Sequence, residues 1–232
     1  VKSQIELINK KKCSKLLYYL SFGIGGICLG GVAMAIKFGL GNETLMRKGC
    51  SRRLIQMVST EVEIVGEFDF SAQLLMGNHR TMLDIALIEA VLSEKIIWVA
   101  KQELGKYPIY GNLVTKTGMI LADRSKKGDI IRIFKEVKKA VDSGYKVAIF
   151  PEGTRNRENR YPLLPFKRGA LAIAEKLDLK VQPFVIVGLA QRIAGNCLQK
   201  GKVTLHWLPS FRPSEIGKEW ADKMATQMTS LL

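Results

Sequence analysis

The sequence predicts an α/β fold, a mixed and mostly parallel sheet flanked by helices, with an N-terminal helical membrane anchor. Three observations lead there. From about residue 60 onward, short apolar runs alternate with longer helical patterns, the order expected of strand–helix–strand units. Several of the short runs, 96–100 and 147–150 among them, are continuously apolar, as strands covered on both faces are. The stretch 16–36 (LLYYLSFGIGGICLGGVAMAI) carries no charge and reaches the ~20 residues that a helix needs to cross a bilayer.

The elements follow in chain order. Lys10, Lys11, Lys12 and Lys15 precede the apolar stretch, and Lys37, Arg47, Lys48, Arg52 and Arg53 follow it. Basic residues favour the cytoplasmic side, and here both flanks are basic. Gly25, Gly26, Gly30 and Gly31 interrupt its centre, where glycine weakens a helix and permits a bend. The pattern favours an anchor that enters one leaflet and returns over a simple span or a buried core helix. Residues 43–58 read as an amphipathic helix. Its basic face suits either an anionic bilayer surface or an ordinary helix covering the domain. Two regions result, an anchoring region 1–59 and an α/β domain 60–232. Within the domain, strands are expected at 73–77, 96–100, 118–122, 147–150, 181–187 and 203–208, and helices at 82–92, 129–141, 168–177 and 219–231.

Composition limits the function classes. The 232 residues are 47% hydrophobic and 25% charged, which excludes a disordered or collagen-like chain. Lys and Arg number 36 against 21 Asp and Glu, a formal net charge of +15, so the surface suits an anionic partner. Cys13, Cys28, Cys50 and Cys197 are widely spaced with no CxxC pair; the expectation is four free thiols and no thiolate zinc site. With only His79 and His206 in the chain, no HExxH site exists, and neither a GxSxG elbow nor a phosphate-binding GxxxxGK[ST] loop is present. The aromatic signature of a single-strand binder is absent too. No nucleic-acid partner is therefore expected.

Three segments remain. Asn78, His79, Arg80, Thr81, Met82, Leu83 and Asp84 follow an expected strand and open an expected helix. Five positions along an ideal helix rotate about 140°, so His79 meets Asp84 only if it lies in the bent entry. There the carboxylate would hold one ring nitrogen and leave the other as a proton acceptor. His206 sits in an apolar strand pattern and reads as structural. Phe150, Pro151, Glu152, Gly153, Thr154 and Arg155 follow the strand at 147–150; glycine permits close backbone approach and arginine offers a fork suited to phosphate. Gly118 to Arg124 places another arginine at a strand end.

Together these segments resemble the glycerolipid acyltransferases, specifically the 1-acylglycerol-3-phosphate acyltransferase family. Its NHxxxxD motif matches Asn78, His79 and Asp84; its Gly-x-Ile-x-x-x-Arg motif matches Gly118, Ile120 and Arg124; and its Phe-Pro-Glu-Gly-Thr-Arg motif matches 150–155 without a gap. The apolar run with a central proline at 181–186, Lys101-Gln102-Glu103-Leu104 and Phe166-Lys167-Arg168-Gly169 are similar to further family segments. Coverage runs from roughly residue 60 to residue 210, with Thr81 and Asn156 standing where serine is frequent.

The resemblance implies transfer of a fatty acyl group from an acyl thioester, acyl-CoA or acyl carrier protein, to the sn-2 hydroxyl of lysophosphatidic acid. Phosphatidic acid is then the product. It implies His79 as general base and Asp84 as the group that orients it. Arg155, Arg124 and Lys101 become candidates for the acceptor phosphate, with Glu152, Gly153 and Thr154 shaping the glycerol site. No metal or cofactor beyond the acyl co-substrate is expected. The expected location is a membrane, a bacterial inner membrane, with the catalytic domain on the cytoplasmic face and anionic lipid as a partner. The residues leave open the acyl donor, the chain length and the oligomeric state. The nearest alternative is a relative acting on another lysophospholipid or on glycerol 3-phosphate. A non-enzymatic basic membrane-surface protein is the alternative of another class, and the His79–Asp84 pair argues against it.

Overall fold

The computed structural model describes residues 14–16, 19, 31, 32, 34, 38, 41–106, 114, 117–123, 125, 126, 128–156, 162–194 and 197–232. The chain builds α1 (Glu43–Val58), β1 (Ser59–Val65), β2 (Leu74–Gly77), α2 (Leu83–Val91), β3 (Ile96–Lys101) and β4 (Ile120–Ala122). It continues with α3 (Asp129–Asp142), β5 (Lys146–Ile149), α4 (Arg168–Lys176), β6 (Val181–Val187), β7 (Ile193–Ala194), β8 (Cys197–Leu198), β9 (Gly201–Trp207), α5 (Pro213–Ile216) and α6 (Trp220–Thr229). Among the described residues, seven strands form one sheet in the order β1-β9-β6-β2-β5-β3-β4, and β7 pairs with β8 apart from it. Every neighbouring pair in the large sheet is parallel except β6 with β9. The mixed, mostly parallel α/β architecture is thus the one the sequence predicts.

Period-two alternation explains the continuous apolar strands. On β2, Leu75 faces a core shared with α1 and α2 through Ile55, Val58, Leu87 and Ile88. Leu74 and Met76 face the opposite core, where α3, α4 and α6 supply Val137, Ile173 and Met224. Both faces are covered, so every residue of β2 is buried. The apolar face of α3 rests on the sheet through Ile133, Val137 and Ala140.

Several expectations are corrected here. Strand β1, with two glutamates, is absent from the expected set; among the described residues it is an edge strand with Glu61 and Glu63 outward, pairing with β9 alone. The expected strand 118–122 begins at Ile120 because Gly118, at φ +75°, turns the chain first. Helix α1 does not present Arg47 and Lys48 on an outer polar face: they are 6% and 3% exposed. Lys48 Nζ donates to the carbonyls of Leu92 and Glu94 at 2.7 and 2.8 Å, Arg47 Nη2 to Ile96 at 3.3 Å, and Arg52 Nε to Ala90 at 3.2 Å. These cations gather at the junction of α2 and β3, on carbonyls of the helix end at Ala90 and Leu92, the loop at Glu94 and the first strand residue Ile96. Burial holds the Lys48 amine below the usual lysine range, against the pull of Glu89. Residues 43–58, assigned from sequence to the anchoring region, contribute Ile55 and Val58 to the core of the α/β body.

Most of the apolar stretch 16–36 lies outside the described residues. Among the described residues, no helix is long and apolar enough to cross a membrane. Cys197 is disulfide-bonded, which overturns the expectation of four free thiols. Ser14 pairs with Leu198 in an antiparallel bridge, a contact across 184 residues of chain that cysteine spacing does not reveal.

Candidate active site

The site forms where β2 ends. Gly77 closes the strand because a Cβ there would lie 2.0 Å from the ring of Phe184, so only glycine permits this approach. Asn78, 2% exposed, turns its amide onto β6: Nδ2 donates to the carbonyl of Ile186 at 2.9 Å, and Oδ1 accepts its N–H at 2.8 Å. The chain then leaves the sheet at His79 and enters α2 four residues later.

Asp84 lies in the first turn of α2, buried, with a set of donors converging on it. Its Oδ2 accepts from the N–H groups of Arg80 and Thr81 at 2.7 and 2.8 Å and from His79 Nδ1 at 2.9 Å, and its Oδ1 accepts from Thr81 Oγ1 at 2.9 Å. A carboxylate surrounded by donors offers only acceptor oxygens. His79 Nδ1 therefore carries the proton that faces Asp84, and Nε2 is left as acceptor. The helix N-terminus adds favourable charge for the carboxylate. Thr81, where the family often has serine, keeps the hydroxyl that this network uses.

The loop after β5 closes the site from the other side. Parallel pairing of β2 with β5, in the register Met76↔Ile149, brings Phe150 beside the start of the His79 turn. The His79 and Phe150 rings stack with centroids 3.9 Å apart and planes 7° from parallel. Glu152 has no exposed surface. Its Oε1 accepts the His79 N–H at 2.8 Å and its Oε2 the Leu164 N–H at 2.8 Å. Burial pushes its carboxyl above the usual glutamate range, opposed by those two backbone donors. Gly153 permits the turn with φ +68°, and the Asn156 N–H donates to the His79 carbonyl at 2.7 Å.

The structure brings His79, Asp84, Glu152, Gly153, Thr154 and Arg155 together at adjoining strand ends. Both Glu152 oxygens accept from backbone donors beneath the surface and so clamp two loops. Thr154 is exposed and Arg155 half-buried, Arg155 being one residue from the bond to the His79 carbonyl. Lys101 closes β3 and pairs with Glu103 at 2.9 Å, both half-exposed. Arg124 lies outside the described residues. Among the described residues, no group of three or more His, Cys, Asp or Glu side chains is placed to hold a metal ion. The roles of Asn78 and Phe150 were not legible in the sequence. Both lie in matched motifs, but strand register alone shows what they touch.

Known proteins resemble this chain in sequence and in fold. A model of the family described as Acyltransferase matches residues 62–187. A 1-acyl-sn-glycerol-3-phosphate acyltransferase of Helicobacter pylori (strain J99) is 36% identical over 85% of this chain and 86% of its own. Its namesake from Escherichia coli (strain K12) is 29% identical over 68% of this chain and 64% of its own. Among solved structures, the LPA acyltransferase PlsC from Thermotoga maritima shares the fold, with a TM-score of 0.73 over 93% of this chain and 92% of that one, at 21% identity. The family match spans more than half of the sequence and covers the histidine–aspartate turn and the glutamate clamp alike, so the chain belongs to the acyltransferases, in the 1-acyl-sn-glycerol-3-phosphate acyltransferase family.

Proposed function

We propose that the protein transfers a fatty acyl group from an acyl thioester, acyl-CoA or acyl carrier protein, to the sn-2 hydroxyl of lysophosphatidic acid, giving phosphatidic acid. The observation that carries the reading is the His79 Nδ1–Asp84 Oδ2 hydrogen bond of 2.9 Å, which leaves Nε2 ready to take a proton. An alcohol is a weak nucleophile. Nε2 accepts its proton as the oxygen attacks the thioester carbonyl, and Asp84 stabilises the imidazolium that forms. The tetrahedral intermediate then expels the thiolate, the C–S bond breaks, and the imidazolium returns the proton to sulfur. The acceptor hydroxyl is itself the nucleophile, so no acyl-enzyme forms. Arg155, Lys101 and Arg124 bind the acceptor phosphate, and Gly153 and Thr154 border the glycerol.

The reading extends to attachment. The catalytic body sits on the cytoplasmic face of a bacterial inner membrane, held by residues 16–36 entering and leaving one leaflet. Its support is that Ser14, before the stretch, exchanges backbone hydrogen bonds with Leu198 at 2.9 and 3.2 Å, while α1, after it, packs into the core. A chain anchored to the same body at both ends returns to the side it left. The net charge of +15 suits anionic lipid on that side.

The test is product formation. Purified protein given labelled acyl thioester and a panel of lysolipids should yield phosphatidic acid from lysophosphatidic acid, and His79→Ala should lower turnover by about 10²–10⁴-fold. A folded His79→Ala variant with wild-type turnover ends the mechanism, and a product from a different lysolipid alone changes the acceptor.

A further inference from the structure

His79 is held on its edge by Asp84, and its face is held as well. Behind the 3.9 Å stack on Phe150, the Phe150 ring packs on Trp98 with centroids 5.2 Å apart and planes 24° from parallel. Trp98 Nε1 donates to Glu89 Oε1 at 2.9 Å, and the same oxygen lies 3.1 Å from Arg47 Nη2. The set is interior: Glu89 is 3%, Trp98 2% and Phe150 9% exposed. The sheet aligns it, since Trp98 on β3 pairs with Ala148 on β5 and Phe150, two residues on, points to the same face.

Helix α2 thus supplies both supports. Asp84 and Glu89 are five residues apart and diverge by about 140° around the helix. One reaches the imidazole directly, and the other reaches it through two rings. A carboxylate placed this deep is costly unless its partners hold it. Among the described residues, Glu89 Oε2 and Arg47 Nε and Nη1 make no hydrogen bond, so the ion pair is incompletely satisfied, while the indole N–H gives Glu89 a hydrogen-bonded partner.

We propose that Glu89 is a positioning residue for acyl transfer: by fixing the Trp98 indole it seats Phe150 against the face of His79 and sets the angle at which Nε2 meets the acceptor hydroxyl. This rests on His79 acting as the base. A purely structural Glu89, serving as counter-ion to Arg47 and Lys48, makes a different prediction, because Trp98→Phe leaves that ion pair untouched.

The experiment compares Trp98→Phe, Phe150→Leu, Glu89→Gln, Glu89→Leu and His79→Ala in full-length protein. Steady-state kinetics are combined with proton NMR of the two histidines. His79 ring protons lie over the Phe150 face and are shifted upfield by its ring current, while unchanged His206 signals report an intact fold. Trp98→Phe should lower kcat about 10-fold and Phe150→Leu about 100-fold at unchanged KM, with the His79 signals moving downfield. Glu89→Gln, whose oxygen still accepts from the indole, should keep kcat within about twofold of wild type, whereas Glu89→Leu should match Trp98→Phe. Wild-type kcat in both Trp98→Phe and Phe150→Leu, beside an inactive His79→Ala, overturns the positioning role alone. A Glu89→Gln variant as slow as Glu89→Leu with His79 signals unmoved overturns it too, since charge and not orientation would then matter. Undiminished turnover in His79→Ala removes the base reading, and this inference with it.

Discussion

The side chain of Asn78 pairs with the backbone of Ile186 as a strand residue would, donating at 2.9 Å and accepting at 2.8 Å. It extends the β2–β6 ladder one step past the end of β2, using a side chain where the backbone has already turned away. His79 departs from the sheet at the point this pairing defines. Asn78→Asp should therefore damage the site more than its single-atom change suggests, because a carboxylate oxygen would oppose the Ile186 carbonyl. With both Ile186 groups buried, each lost partner costs about 1–3 kcal/mol. Thermal unfolding should show that loss for both Asn78→Asp and Asn78→Ala, with turnover down by about 10²-fold from misplacement of His79.

Glu152→Gln tests the loop clamp. Burial already disfavours the charged carboxylate, so loss of the charge itself should cost little, and a fall in melting temperature reports the about 1–3 kcal/mol of one unpaired buried N–H. The amide, however, has one acceptor oxygen for the two N–H donors of His79 and Leu164, and its NH₂ would face the other. Turnover should fall by about 10–100-fold while the far-ultraviolet spectrum is retained. A variant as active as wild type would mean that the loop clamp does not govern catalysis.

Arg155→Ala should act on the acceptor. A lost charged hydrogen bond is worth roughly 1.5–3 kcal/mol, or about 10- to 150-fold. Kinetics with lysophosphatidic acid varied at saturating thioester should show the deficit in kcat/KM for the acceptor. A deficit confined to the thioester would move Arg155 to the donor side.

Asp69 carries a pH signature away from the site. Its carboxylate pairs with Lys180 at 2.7 Å and accepts from the Ser210 and Ser71 hydroxyls, which hold its pKa below the usual aspartate value of 3.8. The folded pKa lies below the unfolded one, so this contribution is complete above pH 4 or so and disappears as pH falls through the folded value. Asp69→Asn should cost roughly 1–2 kcal/mol at pH 7, the two side chains being 31% and 27% exposed. In denaturant titrations, the gap to wild type should narrow steadily below the ordinary aspartate range. A gap independent of pH would assign the loss to packing.

The attachment reading is tested by Ser3→Cys. A membrane-impermeant thiol reagent applied to the outer face of intact spheroplasts should leave residue 3 unlabelled, and permeabilisation should expose it. Labelling from outside means a true span with the N-terminal side across the bilayer. The acyl-transfer chemistry would survive that result, since it rests on Asn78 to Arg155.

The elements that sequence patterning finds are those whose burial repeats at a regular spacing. The runs at 96–100, 147–150 and 181–187 became β3, β5 and β6, and the condition that the motif spacing set, His79 in the entry to α2 with Asp84 in its first turn, is met in the structure. Strand β1 escaped because an edge strand with Glu61 and Glu63 outward buries only part of one face. The basic residues of α1 were misread for a related reason. Charge on a helix signals solvent unless a neighbouring turn presents unpaired carbonyls, and only the packing of α1 beside the α2–β3 junction shows that Arg47 and Lys48 meet Leu92, Glu94 and Ile96.

What the sequence determined by itself is the chemistry available: a histidine and a carboxylate five residues apart, a Pro-Glu-Gly-Thr-Arg turn after a strand, and an excess of positive charge. Those depend on residue identity and on local spacing, which the chain carries from end to end. Tertiary structure alone decided how that chemistry is held. The parallel register of β2, β5 and β3 stacks His79 on Phe150 and Phe150 on Trp98, and the Glu152 carboxylate faces inward to two backbone N–H groups rather than outward to substrate. Such contacts join residues 12 to 73 positions apart, and no local pattern encodes them, because strand order and register emerge only when both faces of the sheet are buried at once.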